Sequence, residues 1–257
     1  MARHASLGLL ALALAVGATA WAQGDSSQPR DRVVASIVHR AGKCPPGTVV
    51  RLGTPGLSFV AVARGRLAAY RKPARRRFAR FRRLNVNDVP TVFSIRAAVY
   101  DRGCDSTWYR VQLPIRPNGV VGYVRAHAVD VAAVHTRIVV DLSRRRLTYF
   151  RSGRAIMHTR VAVGAPATPT PVGRFYVNQR LVPTDPSGPY GPGALGISAF
   201  SNVLTGWTQG GPIAIHGTDA PWSIGHAASN GCIRVRNEVL KRLFADTPAG
   251  TPVTVHP

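Results

Sequence analysis

Acidic residues, lysines and cysteines are all scarce in this chain. Of its 257 residues, 11 are Asp or Glu against 34 Lys and Arg, which gives a formal net charge of +23. All but three of the cations are arginines. The sequence has no HExxH pattern, which excludes the usual zinc-peptidase helix. No stretch resembles a DNA-recognition helix or an RNA-stacking sheet, so no nucleic-acid partner is predicted despite the charge.

The first 22 residues have the pattern of a secretory signal. Arg3 and His4 precede an apolar run from Ala5 to Ala20, and small-x-small cleavage patterns follow at its end. We therefore expect residues 1–22 to be a signal peptide and the protein to be exported to the periplasmic space, the cell wall or the medium. An uncleaved anchor is the alternative, because the run is close to the shortest membrane span. Only that form would be membrane-bound, and no lipobox cysteine is present.

Three cysteines remain to be assigned in an exported protein. Cys44 and Cys104 lie in the N-terminal part, and Cys232 lies alone near the C-terminus. An oxidising compartment favours pairing, and an odd number leaves one thiol over. The economical assignment is a disulfide between the first two and a working thiol at Cys232. Two unpaired buried thiols are the alternative for the first pair.

The densest positive charge lies between residues 71 and 83. Outside a cell, such a run indicates anionic wall polymers or membrane surfaces as partners. The alternative is a solvated face without a partner, in a chain whose arginine content reflects only base composition. The eight cations are Arg71, Lys72, Arg75, Arg76, Arg77, Arg80, Arg82 and Arg83.

The N-terminal half divides into a tether and a small β-rich module. Residues 23–57 are punctuated by Pro and Gly, which indicates a tether with at most one short ordered piece. Residues 58–134 contain recurring short β-type runs separated by turn formers. Within them, Trp108-Tyr109-Arg110-Val111 and Gly122-Tyr123-Val124 resemble the end of a bacterial SH3-like barrel. The arginine-rich run would then be a loop of that barrel.

A second β-rich module spans residues 135–257. Short alternating runs predict a meander of strands, and one amphipathic helix is predicted from Asn237 to Asp246, with Asn237 as its cap. A Pro/Gly-rich loop at 183–196, with Tyr190 in its middle, has the length of a lid or binding loop. Its glycines formally match the dinucleotide fingerprint, but they follow a loop and not a strand, so no cofactor is predicted.

One histidine and one cysteine in this module have the makings of a nucleophile and its base. His216-Gly217-Thr218 ends the apolar stretch Ile213-Ala214-Ile215, where strand ends display reactive groups. Asn230-Gly231-Cys232-Ile233-Arg234 follows in a polar turn. A catalytic thiol needs a nearby imidazole to take its proton, and a glycine before it allows a substrate to approach main-chain amides.

These motifs, together with Pro169-Thr170-Pro171-Val172-Gly173 and Ser229 and Asn237, resemble the L,D-transpeptidase (YkuD-type) catalytic domain of bacterial wall synthesis. The resemblance covers about residues 135–257. It implies a mostly β, sandwich-like domain with one main helix, preceded here by the SH3-like barrel. It also implies an activity: the cysteine attacks a peptidoglycan stem peptide at an L-centre diaminopimelate, releases D-Ala and passes the acyl group to an amine, without a cofactor or metal.

The resemblance also implies a role for each motif residue. Cys232 would be the nucleophile and His216 the base, oriented by the Gly217 carbonyl, while amides around Gly231 and Cys232 would hold the oxyanion. Many members carry a second histidine where this chain has Asn230, a departure that concerns substrate contacts. The residues expected to meet the substrate are Tyr190, Ser229, Asn230, Arg234 and Asn237.

Three other readings of the sequence stay open at this point. An L,D-carboxypeptidase of the same fold would pass the acyl group to water. A non-catalytic wall-binding protein would rely on its basic N-terminal module, with a vestigial cysteine. A zinc hydrolase would use His216, His226 and Cys232 as ligands, which would leave no base.

Overall fold

The computed structural model describes residues 44–206 and 211–257, which form two large β-sheets and a two-stranded one. The predicted signal peptide and most of the predicted tether lie outside the described residues. Within the described part of the chain, no helix is long and apolar enough to cross a membrane.

The first large sheet is built from eight strands before residue 135. Its order is β4-β3-β7-β6-β5-β2-β8, and β1 pairs with β5. Four of these strands, β2, β5, β6 and β7, coincide with the β-type runs that the sequence shows at residues 59–63, 91–100, 108–113 and 120–124. The strands are β1 (Thr48–Arg51), β2 (Ser58–Ala63), β3 (Leu67–Lys72), β4 (Arg75–Phe81), β5 (Val92–Tyr100), β6 (Ser106–Gln112), β7 (Val121–Arg125) and β8 (Val129–Val134).

This sheet has its own apolar core. Phe59, Phe93, Val111 and Leu113 are among its fully buried side chains. The strand β1 lies in the segment expected as a tether, and it pairs with β5. The SH3-like assignment of residues 58–134 stays a prediction.

The arginine-rich run is a β-hairpin and not the loop that the sequence suggested. It spans the end of β3, a turn at Pro73-Ala74, and β4, which is the edge of the sheet. Phe78 and Phe81 pack on the core while the arginines of β4 stay exposed. The alternation was obscured because a β-bulge interrupts the pairing with β3 after Ala69. Charged residues on an edge strand also protect it from pairing with other chains.

The second large sheet follows the order β11-β10-β9-β18-β13-β14-β15-β17, and β12 pairs with β16. A mostly β fold with one α-helix among the described residues is confirmed. The elements are β9 (Thr136–Asp141), β10 (Arg146–Arg151), β11 (Arg154–Arg160), β12 (Val163–Gly164), β13 (Gly173–Leu181), β14 (Ala194–Phe200), β15 (Pro212–His216), β16 (Ala227–Ser229), β17 (Ile233–Arg234), α1 (Asn237–Asp246) and β18 (Pro252–His256).

Two details of this module differ from the sequence prediction. Helix α1 has the predicted bounds and buries Leu240 and Leu243, but the residue before it, Arg236, occupies the cap position without a side-chain bond. The side chain of Asn237 is used elsewhere, as described below. The expected loop at 183–196 also ends earlier, because the strand β14 already begins at Ala194.

The two large sheets pack directly on one another. The hydroxyl of Tyr176 on β13 donates a buried hydrogen bond of 3.0 Å to Val92 O on β5. Tyr176 is completely buried there with Val60, Val92 and Val134, and this burial raises its pKa. At a second point, Asn118 Nδ2 donates to Phe200 O and Phe200 N donates to Asn118 Oδ1, both at 2.8 Å. The interface therefore combines apolar contact with paired polar groups.

A disulfide joins Cys44 to Cys104, as the cysteine count predicted. It attaches the start of the described chain to the turn between β5 and β6, beside the pairing of β1 with β5. The remaining cysteine, Cys232, is free.

Loss of this disulfide should destabilise the first sheet without touching the thiol at Cys232. In Cys44→Ala/Cys104→Ala, the free energy of unfolding should fall by roughly 2–4 kcal/mol. The reason is that the unfolded chain is no longer closed into a loop between two residues 60 positions apart, and so it gains conformational entropy. Denaturant unfolding measures this change. Thiol titration of the native wild-type protein should find one reactive group without reductant. Three free thiols in the purified protein without reductant would contradict the pairing.

Candidate functional site

The pairing of β15 with β17 brings the histidine and cysteine motifs together. The two strands run parallel, with Ile215 opposite Ile233 and His216 opposite Arg234. Ile215 and Ile233 are completely buried in the apolar core. Side chains alternate along a strand, so His216 points to the other face, and Cys232, directly before β17, has its sulfur at the backbone of Ala214 on β15. Burial of the two isoleucines thus sets which face carries the polar groups.

His216 is a buried imidazole with one nitrogen already engaged. Its exposed fraction is 4%, and Nδ1 lies 2.5 Å from the carbonyl oxygen of Gly217. A carbonyl can only accept, so Nδ1 carries the proton and Nε2 is the basic nitrogen. Burial lowers the His216 pKa to about 4; the positive Arg234 adds to this, while the bond to Gly217 and the charge of Asp219 oppose it. The imidazole is therefore neutral near pH 7.

Cys232 is a partly exposed residue whose sulfur is held in its thiol form. Loss of water around the sulfur raises its pKa, and a backbone hydrogen bond at Ala214 and the charge of Arg234 oppose the rise. The resting pair is thus a neutral thiol and a neutral imidazole. Such a pair needs general-base removal of the thiol proton during attack, since no thiolate is stored beforehand.

The turn before Cys232 is fixed by the hydroxyl of Ser229. This hydroxyl donates to Cys232 O at 2.5 Å and accepts the Gly231 N–H at 3.2 Å. Ser229 is buried, and its hydroxyl shapes the turn. The Gly231 amide is likewise used inside the turn. The amide of Cys232 is left as the candidate oxyanion donor.

Gly231 is required by its backbone and its surroundings. Its φ is +107°, a conformation that side-chain-bearing residues rarely adopt, and a Cβ there would lie 3.0 Å from Ile213 Cδ1. The turn can therefore approach β15 closely only with glycine at this position.

Two threonines that the sequence analysis treated only as part of a turn brace the cysteine loop. Thr170 Oγ1 donates to Gly231 O at 2.9 Å and accepts the Gly164 N–H at 2.8 Å. Thr168 Oγ1 donates to Ser229 O at 3.0 Å. The Thr-Pro-Thr-Pro pattern was the available signal, because proline fixes the backbone while threonine supplies a hydroxyl.

The lid loop sits directly on the histidine turn. A Cβ on Gly191, which has φ +59°, would lie 2.8 Å from the Gly217 Cα. Only two glycines allow the loop and the turn to come this close. Gly217 N donates to Gly193 O at 3.4 Å, and the Asn237 side chain accepts the Thr218 N–H at 2.8 Å. Asn237 therefore ties helix α1 to the histidine turn.

Tyr190 reaches the site from the lid. Its ring centroid is 5.0 Å from that of His216, with the planes tilted by 59°. About half of Tyr190 is exposed, so it covers the imidazole while offering its outer face to solvent.

The two remaining expected contact residues flank Cys232. Asn230 is exposed, and Arg234 is half-buried. The backbone of Arg234 is held by two hydrogen bonds with Ala162, at 3.0 and 2.9 Å. The buried Nε of Arg234 has no hydrogen-bond partner in the described structure. This positive group is close enough to affect the pKa values of both His216 and Cys232.

A metal-binding arrangement is not formed by these residues. Across residues 44–206 and 211–257, no three His, Cys, Asp or Glu side chains are placed to hold a metal ion together. His226 is exposed. The zinc alternative therefore finds no ligand set in this part of the chain.

Comparison with known proteins gives the same family from independent sequences. The model of the YkuD L,D-transpeptidase catalytic domain matches residues 135–255. The protein YkuD of Bacillus subtilis is 34% identical over 127 residues, which cover 49% of this chain and 70% of the relative. YbiS of Escherichia coli K12 is 31% identical over 147 residues, covering 47% of this chain and 44% of the relative.

Among solved structures, the catalytic domain of the Enterococcus faecium L,D-transpeptidase is 28% identical, with a TM-score of 0.35 over 47% of this chain and 96% of that one. The family assignment rests on the sequence matches. Because the chain covers more than two thirds of YkuD at this level of identity, it belongs to the YkuD L,D-transpeptidase family.

Proposed function

We propose that the protein is an exported peptidoglycan L,D-transpeptidase that works through a thioester on Cys232. The thiol attacks the carbonyl at the L-centre of a diaminopimelate in a stem peptide, and the acyl group passes to an amine of a second stem, giving a 3-3 cross-link. The observation that supports this proposal is the buried, neutral His216, fixed through Nδ1 at the end of β15, the strand whose Ala214 backbone contacts the Cys232 thiol.

The geometry supports a two-step acyl transfer. Nε2 of His216 takes the thiol proton as the sulfur attacks, and the Cys232 amide donates to the developing oxyanion. The imidazolium then gives its proton to the leaving D-Ala amine as the carbon–nitrogen bond breaks. In the second step an acceptor amine attacks the thioester and loses a proton to His216, and the departing sulfur regains a proton. No cofactor enters this cycle.

Arg234 acts in opposite directions on the two groups of the pair. Its charge disfavours the imidazolium of His216 but favours the thiolate of Cys232. An oxyanion near Cys232 would benefit from the same charge. We therefore place Arg234 next to the reacting carbonyl, with Tyr190 and Asn230 lining the approach for the rest of the stem. The partner is the stem peptide of peptidoglycan, and export of the chain brings the enzyme to it.

Transfer to an amine is favoured over hydrolysis by the lid. Gly191 and Gly217 seat the loop on the histidine turn, and Tyr190 covers the imidazole. A covered thioester is shielded from water until an amine arrives. An L,D-carboxypeptidase of the same fold is the alternative, and it would lack such protection. A non-catalytic wall-binding protein would need neither the braced turn nor the fixed imidazole.

Thioester formation tests the proposal directly. Wild-type protein incubated with a donor tetrapeptide should gain the mass of an acyl tripeptide on Cys232, seen by intact-protein mass spectrometry. Cys232→Ala should show no adduct and no turnover, and His216→Ala should lose about 10²–10⁴-fold in rate. His226→Ala is the matched control, because this exposed histidine lies in the same module and should keep full activity. Retained turnover in Cys232→Ala would overturn the mechanism.

The pH profile should reflect the lowered pKa of His216. A base with a pKa of about 4 is already deprotonated above that pH, so kcat/KM for donor acylation should stay level from pH 8 down to about 5 and fall only near pH 4. Arg234→Gln should move this acid limb to higher pH, because one cause of the lowered pKa is removed. An acid limb centred near pH 6.5 in the wild-type protein would contradict a buried neutral base.

The cover over the thioester can be tested at Tyr190. Tyr190→Gly should shift the products severalfold from cross-linked dimer toward free tripeptide when donor and acceptor tetrapeptides are supplied together. Tyr190→Phe keeps the ring over His216 and should behave as wild type. Chromatography of the products gives the ratio. Wild-type protein that releases mainly tripeptide in excess acceptor would be an L,D-carboxypeptidase.

A further inference from the structure

A cleft of about 580 Å³ lies between the two large sheets, outside the thiol site. The first sheet contributes β4 and the segment after it, and the second contributes β13, β14 and the start of β15. Its apolar lining includes Phe81, Val92, Ile197 and Phe200. Such a floor suits a ligand with an apolar body.

Arginines surround the mouth of this cleft and a neighbouring depression. The depression measures about 470 Å³ and shares Arg80, Phe81 and Arg82 with the cleft. Arg66 and Arg77 also line it. No acidic residue lines either space, and none of these four arginines forms an ion pair with an acid in the described part of the chain. The guanidinium forks are therefore available for anionic groups of a ligand.

The wall of the cleft is preformed by amide side chains. Gln179 Oε1 accepts hydrogen bonds from Asn85 at 3.1 Å and Asn87 at 2.8 Å, which fixes the segment after β4 against β13. Beside them, Asn178 lines the cleft, and its buried Oδ1 has no hydrogen-bond partner. A side-chain amide can both donate and accept hydrogen bonds, so this wall suits a ligand that carries amide groups.

The cleft and the thiol site lie on the same strand. Pro212 lines the cleft and begins β15, whereas His216 ends that strand. At about 3.3 Å per residue, the two ends are roughly 13 Å apart. One polymer chain can therefore reach both places.

We propose that the interdomain cleft is a second peptidoglycan-binding site, which holds a stretch of the polymer while another part of it reacts at Cys232. Stem carboxylates bind Arg80 and Arg82, apolar methyl groups contact the floor, and a peptide group of the polymer hydrogen-bonds to the side-chain amide of Asn178. This inference rests on the proposed function. Peptidoglycan fits the cleft better than a phosphodiester polymer does, because a phosphodiester chain would bind the arginines but leave the apolar floor without a contact.

Co-sedimentation with insoluble peptidoglycan tests the cleft. The walls are used in two forms, untreated and stripped of phosphodiester polymers with hydrofluoric acid. Arg80→Gln/Arg82→Gln should bind stripped walls about tenfold more weakly than wild type, as expected for the loss of charge-assisted hydrogen bonds. Arg75→Gln/Arg76→Gln removes the same charge from exposed positions of β4 that line neither space, and should bind nearly as wild type. Turnover of a small soluble stem peptide should be unchanged in both.

A neutral substitution separates the cleft from charge alone. Asn178→Leu should also weaken binding to stripped walls, with its thermal midpoint measured to confirm folding. Equal weakening by the two arginine pairs would overturn the proposal in favour of general electrostatic attraction. Binding that needs untreated walls would overturn it in favour of a phosphodiester ligand. Loss of small-peptide turnover in Arg80→Gln/Arg82→Gln would place these residues in the active site instead. If the wild-type protein binds stripped walls but forms no thioester, the proposed function is contradicted and the proposal for the cleft is not.

Discussion

The parallel pairing of β15 with β17 is the contact on which the candidate site depends. It is held in register by Ile215 and Ile233, which are completely buried in the core of the second module. A one-residue slip of β17 against β15 would turn Ile233 out of the core and bring Arg234 toward it. Core packing and the geometry of the candidate site are therefore the same constraint. Hydrogen bonds from Ser229 and Thr170 brace the cysteine turn in addition.

The electrostatics of the site follow from the same burial. His216 is buried under Tyr190, so its charged form is disfavoured, and burial of the sulfur likewise favours the neutral thiol of Cys232. A neutral thiol is a weak nucleophile until a base removes its proton. The charge of Arg234 opposes part of the rise in the Cys232 pKa that burial causes. Reactivity is thereby tied to substrate binding.

Local patterns predicted what depends on neighbouring residues, and missed what depends on contacts through space. The bounds of α1, the Cys44–Cys104 pair and the family were predictable. Apolar periodicity, cysteine count and motif spacing depend only on the order of residues, so they can be read without knowledge of the fold. The β-hairpin in the arginine run was missed, since its two phenylalanines pack across a bulge. Thr170 was missed as a brace, because its partner Gly231 is 61 residues away. The use of Asn237 by Thr218 was missed for the same reason.

The interface between the modules gives the first sheet a place in the function of the second. Tyr176 and Asn118 fix the two sheets together through buried or paired polar groups, so the basic hairpin does not swing freely as a tethered binding module would. A fixed hairpin places Arg80 and Arg82 at one constant distance from β15. A polymer that binds them as proposed would be presented to Cys232 in a defined orientation, and part of its entropy of approach would be lost before the reaction begins. Under that proposal, the position of the positive charge matters as well as its amount.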